Sequence, residues 1–298
     1  MTEYRSRAGL RVPENLPKLR KHPSEAREIP YGTPVVPLAR WLMFLQGIEV
    51  TVDGAENIPA DGGALLAINH TGYYDFILGG YPAYLRGRRI VRMMAKKAIF
   101  DTPIVGTVLR MMGHISVDRS AGKGAASKDA AVQKLREGKL VGIFPEATIS
   151  RAFEIKDLKT GAVRIADEAD APLLPVIIWG SQRIWTKDLP KNLWRANVPV
   201  RVAVGKPIEL SGSVEEDTAA LQKAMEKLLE TTREKYAERH GPFEPGLPWM
   251  PVSLGGSAPT LEQAAGIDAA ARAERARKKA AKAEKAAKAA KVEKKDRK

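Results

Sequence analysis

From residue 49 onward, short runs of apolar and β-branched residues alternate with stretches of helical periodicity. The runs predict strands at 49–52, 64–68, 90–94, 115–118, 141–144, 174–179 and 200–204. The periodic stretches predict helices at 74–85, 103–111, 128–137, 160–170 and 214–238. Because this alternation is typical of an α/β fold, we expect a single domain with a mostly parallel or mixed sheet covered by helices.

The most apolar segment ahead of this domain is 34–48, a stretch of 15 residues interrupted by Arg40. It is too short to span a bilayer, which takes roughly 20 residues. The bulky residues 41–45 predict an amphipathic helix that lies either on the protein's own core or in a lipid interface, and the pattern leaves both open. The charged N-terminus lacks the apolar segment of a signal peptide, so no export signal is expected.

The C-terminal part of the chain changes composition twice. Residues 241–260 are dense in Pro and Gly, which predicts a linker or an extended surface segment. Residues 261–298 are mostly Ala, Lys and Glu, so we expect a solvated helix or disordered tail, or a segment that attaches electrostatically to an anionic partner. The predicted organisation is therefore a basic arm with an amphipathic helix at 1–47, the main domain at 48–240, the linker at 241–260 and the basic tail at 261–298.

The formal net charge is +14, from 49 Lys and Arg against 35 Asp and Glu. Residues 1–40 carry +4 and residues 271–298 carry +9, which leaves +1 for the remainder. Such an excess suggests an anionic partner, either nucleic acid or an anionic lipid surface. Because the body is nearly neutral and holds no helix-turn-helix, zinc-finger or RNP signature, nucleic-acid binding is the weaker alternative.

The absence of two sequence features excludes or disfavours several kinds of catalytic site. The chain has no Cys, which excludes disulfides, Cys-ligated metals and a thiol nucleophile. It also has no G-x-S-x-G sequence, which argues against a serine hydrolase.

One of the four His residues, His70, lies two positions after the end of the predicted strand at 64–68, and Asp75 lies five positions later. The carboxyl end of a strand opens toward the crevice in which α/β proteins bind ligands. A nearby carboxylate accepts the Nδ1–H of the imidazole and supports the charge that forms when Nε2 takes a proton. The spacing therefore predicts His70 as a general base for a hydroxyl nucleophile, oriented by Asp75.

Further motifs follow His70 in a fixed order. NHTGYYD at 69–75 resembles the H-x4-D box of the glycerolipid acyltransferases related to lysophosphatidate acyltransferase. KKAIFDTPIVG at 96–106, GHISVDR at 113–119, FPEATIS at 144–150 and APLLPV at 171–176 resemble the next boxes of that family. The resemblance covers about residues 40–210 and implies that 48–240 is the catalytic acyltransferase domain.

The resemblance also implies roles for individual residues. These are the general base His70, its orienting partner Asp75, the acceptor's phosphate ligand Arg119, the acceptor-site residues Glu146 and Thr148, and the additional cation Lys97. Lys96 is an equal candidate for the last role. The implied acyl donor is acyl-CoA or acyl carrier protein, with no cofactor and no metal, since a thioester is already activated.

Two departures from the family pattern concern the acceptor. Ala147 stands where the family prefers Gly, and Ile149 stands where it usually has Arg. Arg151 is a candidate to replace that charge. The expected reaction acylates lysophosphatidic acid to phosphatidic acid, with a phosphoinositol glycolipid or glycerol 3-phosphate as alternative acceptors. The expected partners are acyl-CoA, the lysophospholipid and an anionic membrane surface, at the cytoplasmic, inner face of the cell membrane.

Overall fold

The structure, a computed structural model, describes residues 3–118 and 124–296, and the strands and helices below are those of the described residues. The strands are β1 (Tyr4–Arg7), β2 (Leu10–Pro13), β3 (Glu49–Asp53), β4 (Ala64–Ile68), β5 (Val91–Lys96), β6 (Ile115–Val117), β7 (Leu140–Ile143), β8 (Leu173–Trp179) and β9 (Pro199–Val204). The helices are α1 (Val36–Leu45), α2 (Asp75–Leu78), α3 (Tyr81–Leu85), α4 (Lys97–Phe100), α5 (Pro103–Met111), α6 (Gly124–Arg136), α7 (Gly161–Ala169), α8 (Val214–His240) and α9 (Leu261–Asp296).

The strands form one sheet in the order β1-β2-β3-β9-β8-β4-β7-β5-β6. The pairs β1–β2 and β8–β9 are antiparallel, and the other neighbours are parallel. The predicted α/β fold with a mostly parallel, mixed sheet is confirmed. Since β4, β7 and β8 run in the same direction, their carboxyl ends meet at one edge of the sheet.

The central strand β4 shows how the sheet is buried on both faces. All five of its residues are buried, with Leu66 and Ile68 in one apolar cluster and Leu65 and Ala67 in another. Alternate side chains of a strand point to opposite faces, so a continuous apolar run is what a doubly covered strand requires. This burial holds the end of β4, and the loop that follows it, in a fixed position.

The predicted helix at 74–85 is instead two short helices, α2 and α3. Gly79 and Gly80 separate them, and Pro82 lies in the first turn of α3. Glycine is a weak helix former, whereas proline is tolerated only in a first turn, so the sequence favours a break here. The break leaves Asp75 at the beginning of α2, next to the loop that carries His70.

The N-terminal arm contains a hairpin that the sequence analysis does not predict. β1 and β2 pair with each other, and β2 adds to the sheet beside β3. The Tyr4 hydroxyl donates to Asp53 at 2.6 Å, and Arg201 Nε donates to the same carboxylate at 2.7 Å. Because the hairpin depends on these distant partners, its own charged sequence gives little sign of it.

Candidate active site

His70 lies in the loop after β4, and the preceding residue fixes that loop to the neighbouring strand. The side chain of Asn69 is fully buried, accepts from Ile178 N at 2.7 Å and donates to Ile178 O at 3.1 Å. A buried amide that satisfies both its donor and its acceptor holds one orientation. The loop therefore leaves the sheet at a defined angle, with His70 at the edge where β4, β7 and β8 end.

Asp75, the first residue of α2, holds the imidazole of His70. Its Oδ2 lies 3.1 Å from His70 Nδ1 and accepts from the backbone N–H groups of Thr71 and Gly72, each at 2.7 Å. The hydroxyl of Ser181 donates to Oδ1. An ionised carboxylate only accepts hydrogen bonds, so this set of donors places the imidazole proton on Nδ1 and leaves the lone pair on Nε2.

The surroundings of the His70 ring leave part of it accessible. The ring stacks on Phe144 with 4.1 Å between centroids. The side chain of His70 is 18% exposed, whereas that of Asp75 is 0% exposed. The pair thus has a buried orienting carboxylate and an imidazole that a substrate hydroxyl can reach.

Glu146 lies in the loop after β7 and joins this loop to His70. Its buried carboxylate accepts from His70 N at 2.9 Å through Oε1 and from Lys156 N at 3.2 Å through Oε2. Burial raises the pKa of Glu146 to about 7, against the opposing effect of these two N–H donors and the Lys156 charge. Glu146 therefore binds two backbone segments together rather than projecting into solvent.

The loop beyond Glu146 is held by a second set of contacts. Thr148 is exposed, and Lys156 Nζ donates to its carbonyl oxygen at 2.7 Å and to its hydroxyl at 2.6 Å. Ala147 has φ +64°, in the left-handed region that favours glycine. The family's preference for Gly at this position thus has a direct reason in the backbone, which Ala147 accommodates with some strain.

Lys97 begins α4, after β5, and is half-exposed. Its ammonium pairs with Asp101, which raises the pKa of Lys97 by hydrogen bonding and then by charge, with a smaller effect from Asp118. The pairing of Lys96 with Val117 brings the ends of β5 and β6 together, so Lys97 lies near the end of β6. Arg119 itself is outside the described residues.

Arg151 does not present the replacement charge that the sequence analysis offers for it. Its side chain is buried and forms ion pairs with Asp188 and with Asp268 of α9, the latter at 3.0 Å from Nε. Lys187 also pairs with Asp268, at 3.2 Å. Two carboxylates already neutralise Arg151, and Ile149 beside it is 4% exposed, so neither residue offers a free cation to a ligand.

Two residues that the sequence analysis does not select take part in the site. Ser181 follows β8 after one Gly and donates to Asp75, and Lys156 contacts both Glu146 and Thr148. Ser181 could be selected from sequence, because it lies just beyond the carboxyl end of a predicted central strand. No sequence motif indicates Lys156, because its position depends on how residues 151–156 fold back over the loop.

Apolar surface lies beside α2. A cavity bordered by α1, α2, α3 and the beginning of β5 includes Phe76, Ile77 and Met112 in its lining.

Helix α1 packs Met43 on the core, and its Arg40 side chain donates to the Tyr84 hydroxyl at 2.8 Å. Trp41 and Phe44 of the same helix are 55% and 78% exposed. One face of this helix thus packs on the protein's own core, and a second apolar face is exposed; its insertion into lipid stays a prediction. Among the described residues, no helix has the length and apolar character needed to cross a membrane.

Comparison with known proteins agrees with this geometry. Residues 49–179 match the family model described as Acyltransferase. The matched region contains all six residues to which the resemblance assigns roles, which are His70, Asp75, Lys97, Arg119, Glu146 and Thr148. Together with the α/β fold and the His70–Asp75 pair, the match shows that this segment is similar to the domains of that family.

Two curated relatives carry the same name, 1-acyl-sn-glycerol-3-phosphate acyltransferase. The Borreliella burgdorferi protein is 30% identical over 151 residues, covering 50% of this chain and 59% of the relative. The Bacillus subtilis protein is 38% identical over 141 residues, covering 47% of this chain and 66% of the relative. The matches therefore span less than two thirds of the length of either relative.

A solved structure shares the fold. The crystal structure of the 1-acyl-sn-glycerophosphate acyltransferase PlsC from Thermotoga maritima aligns with a TM-score of 0.50 and 23% identity. The alignment covers 69% of this chain and 78% of that one. At this identity the likeness supports the architecture alone.

Proposed function

We propose that this protein transfers a fatty acyl group from a thioester, acyl-CoA or acyl carrier protein, to the hydroxyl of lysophosphatidic acid, giving phosphatidic acid. The observation that carries the proposal is the His70–Asp75 pair, with Nδ1 bound to a buried carboxylate at the carboxyl edge of the sheet. This arrangement leaves Nε2 able to accept a proton from an incoming hydroxyl.

The proposed step needs no covalent enzyme intermediate. His70 Nε2 takes the proton of the acceptor hydroxyl while the oxygen attacks the thioester carbonyl carbon. The C–S bond then breaks, and the imidazolium returns its proton to the departing thiolate. Asp75 stabilises the imidazolium in between, so the site supplies positioning and charge to an acyl group that is already activated.

The names of the relatives favour a phosphate-bearing acceptor. The two curated relatives described above are named for acylation of 1-acyl-sn-glycerol-3-phosphate. In this proposal Arg119 and Lys97 supply positive charge for the phosphate, and Glu146 and Thr148 shape the loop beside it. The alternative acceptors are glycerol 3-phosphate, which is also a phosphate monoester, and phosphoinositol glycolipids, whose phosphate is a diester.

We also infer that the enzyme works on the inner face of the cell membrane as a peripheral protein. The exposed apolar face of α1 adjoins the cavity beside α2, and the two ends of the chain carry its excess positive charge. Apolar insertion and attraction to anionic lipids add to each other at such an interface. A lipid acceptor would then reach His70 from the bilayer.

The direct experiment compares acceptors with one long-chain acyl-CoA donor. Thiol release and lipid products are measured with lysophosphatidic acid, glycerol 3-phosphate and a phosphoinositol lipid. The proposal predicts the highest kcat/KM with lysophosphatidic acid and phosphatidic acid as its product. Preference for either of the other acceptors would reassign the substrate, and no acceptor-dependent release would overturn the proposal.

A further inference from the structure

Lys156 holds an ammonium group beside the loop that the proposed function assigns to the acceptor. Its Nζ donates to the Thr148 carbonyl oxygen and hydroxyl at 2.7 and 2.6 Å. Both acceptors are neutral oxygens at the surface of the loop. The charge is thus fixed in place without being neutralised by these contacts.

The backbone of Lys156 is tied directly to that of the general base. One carboxylate, that of Glu146, accepts from both His70 N and Lys156 N. This bridge places the segment that carries Lys156 one side chain away from the His70 backbone.

Three other described cations near the site already have acidic partners, whereas Lys159, whose backbone N–H donates to Pro145 O at 3.0 Å, forms no salt bridge within the described residues. Arg151 and Lys187 share Asp268, and Lys97 is paired with Asp101. Within the described residues Lys156 forms no salt bridge, although the carboxylates of Glu146 and Asp268 act on its charge from a greater distance. Its two hydrogen bonds use two of the three N–H donors of an ammonium. One N–H donor therefore remains for a ligand.

We propose that the Lys156 ammonium binds the phosphate of the acceptor lipid and so contributes to selection of phosphorylated acceptors. This inference rests on the proposed function for the identity of the acceptor. A phosphate monoester carries about −1.5 to −2 charge at neutral pH and accepts strong hydrogen bonds from ammonium groups. Burial is the main cause that lowers the pKa of Lys156, and a bound phosphate would favour its charged form.

The first experiment measures binding and so does not depend on turnover. Short-chain lysophosphatidic acid and the matched monoacylglycerol, which lacks the phosphate, are titrated by calorimetry into His70→Ala protein and into the His70→Ala, Lys156→Met double variant. We expect Lys156→Met to weaken lysophosphatidic acid binding about tenfold to a hundredfold, as for loss of one charge-assisted hydrogen bond, and to leave the monoacylglycerol unchanged. Equal weakening of both ligands would indicate a merely structural role and overturn the proposal.

The second experiment measures kinetics in the protein with His70 intact. Lys156→Met should raise the KM for lysophosphatidic acid and spare that for acyl-CoA, while Lys156→Arg should keep most of the acceptor affinity. Lys134→Met is the matched control, because Lys134 is a partly exposed lysine of α6 near the opposite edge of the sheet. A KM change confined to acyl-CoA would assign Lys156 to the donor's phosphates and contradict the proposal.

The two experiments separate the possible failures. Phosphate-dependent binding that requires Lys156, without acyl transfer in the wild-type protein, would overturn the proposed function and support the Lys156 site. Acyl transfer to lysophosphatidic acid with a rate and KM that Lys156→Met does not change would support the proposed function and overturn the Lys156 site.

Discussion

At the scale of single residues, the buried carboxylate of Glu146 connects the base to the acceptor loop. It is 4% exposed and accepts hydrogen bonds from the backbones of His70 and Lys156. Because burial raises its pKa to about 7, this connection changes its charge in the range where the enzyme is expected to work. Glu146 is therefore a point at which pH acts on the site through its structure.

The raised pKa predicts a specific pH dependence of stability. Below pH 4.5, the ordinary value, the group is protonated in both folded and unfolded chains, whereas between 4.5 and about 7 only the folded chain keeps the proton. The contribution of Glu146 to the free energy of unfolding is therefore largest below pH 4.5. It falls as the pH rises toward 7, by an amount on the order of 3 kcal/mol. Urea unfolding from pH 5 to pH 8 should show this decline in the wild type and lose it in Glu146→Gln.

Glu137→Gln provides the control for this comparison. Glu137 lies on the surface, and its pKa is lowered chiefly by the hydrogen bond from Lys134. Its contribution to the free energy of unfolding therefore changes only below about pH 4.5, the ordinary pKa of the group. The free energies of unfolding of Glu137→Gln and wild type should stay parallel from pH 5 to pH 8. If the Glu146→Gln curve were also parallel to the wild type, Glu146 would not titrate in this window.

At the scale of elements, the strands are predicted better than the loops between them. The continuous apolar run predicts β4 at 64–68, because a strand buried on both faces needs that pattern. The hairpin of β1 and β2 is not predicted, since Asp53 and Arg201 far along the chain hold it. In the same way His70 and Asp75 are five residues apart and can be paired from sequence, while Lys156 reaches Thr148 only through the fold.

Helix α1 carries a prediction of its own. Its Phe44 is 78% exposed on an apolar face, while Met43 and Arg40 hold the other face to the body. Phe44→Glu should weaken binding to anionic vesicles about tenfold to a hundredfold, since burial of a Phe side chain contributes roughly 1.5–3 kcal/mol, and should leave the thermal midpoint unchanged. Leu254→Glu, at an exposed leucine outside α1, is the control. Equal vesicle binding by the Phe44→Glu variant and the wild type would show that α1 does not enter the lipid.

At the scale of the whole molecule, the net positive charge is distributed unevenly along the chain. The body is near neutral, which suits a site that binds both a thioester and a lipid, and the excess lies at the ends. The first turns of α9 are tied to the body, because Asp268 pairs with Arg151 and Lys187. The more distal basic residues are thus attached to the body by a helix whose beginning lies beside the candidate site.

A truncation tests what the distal tail binds. Deleting residues 279–298 removes nine basic and three acidic residues and keeps the Asp268 ion pairs. We expect weaker binding to anionic vesicles and a smaller salt dependence, since each Lys or Arg near such a surface contributes about 1 kcal/mol. Loss of DNA binding with vesicle binding intact would instead favour the nucleic-acid alternative for this segment.

The central claim is acyl transfer to lysophosphatidic acid with His70 as the general base. It is tested most directly by thiol release from a long-chain acyl-CoA with lysophosphatidic acid present, in the wild type and in His70→Ala, together with urea unfolding of both. The account predicts phosphatidic acid formation that falls at least about 100-fold in kcat in the variant, with a nearly unchanged free energy of unfolding. Acyl transfer by His70→Ala at close to the wild-type rate would contradict it.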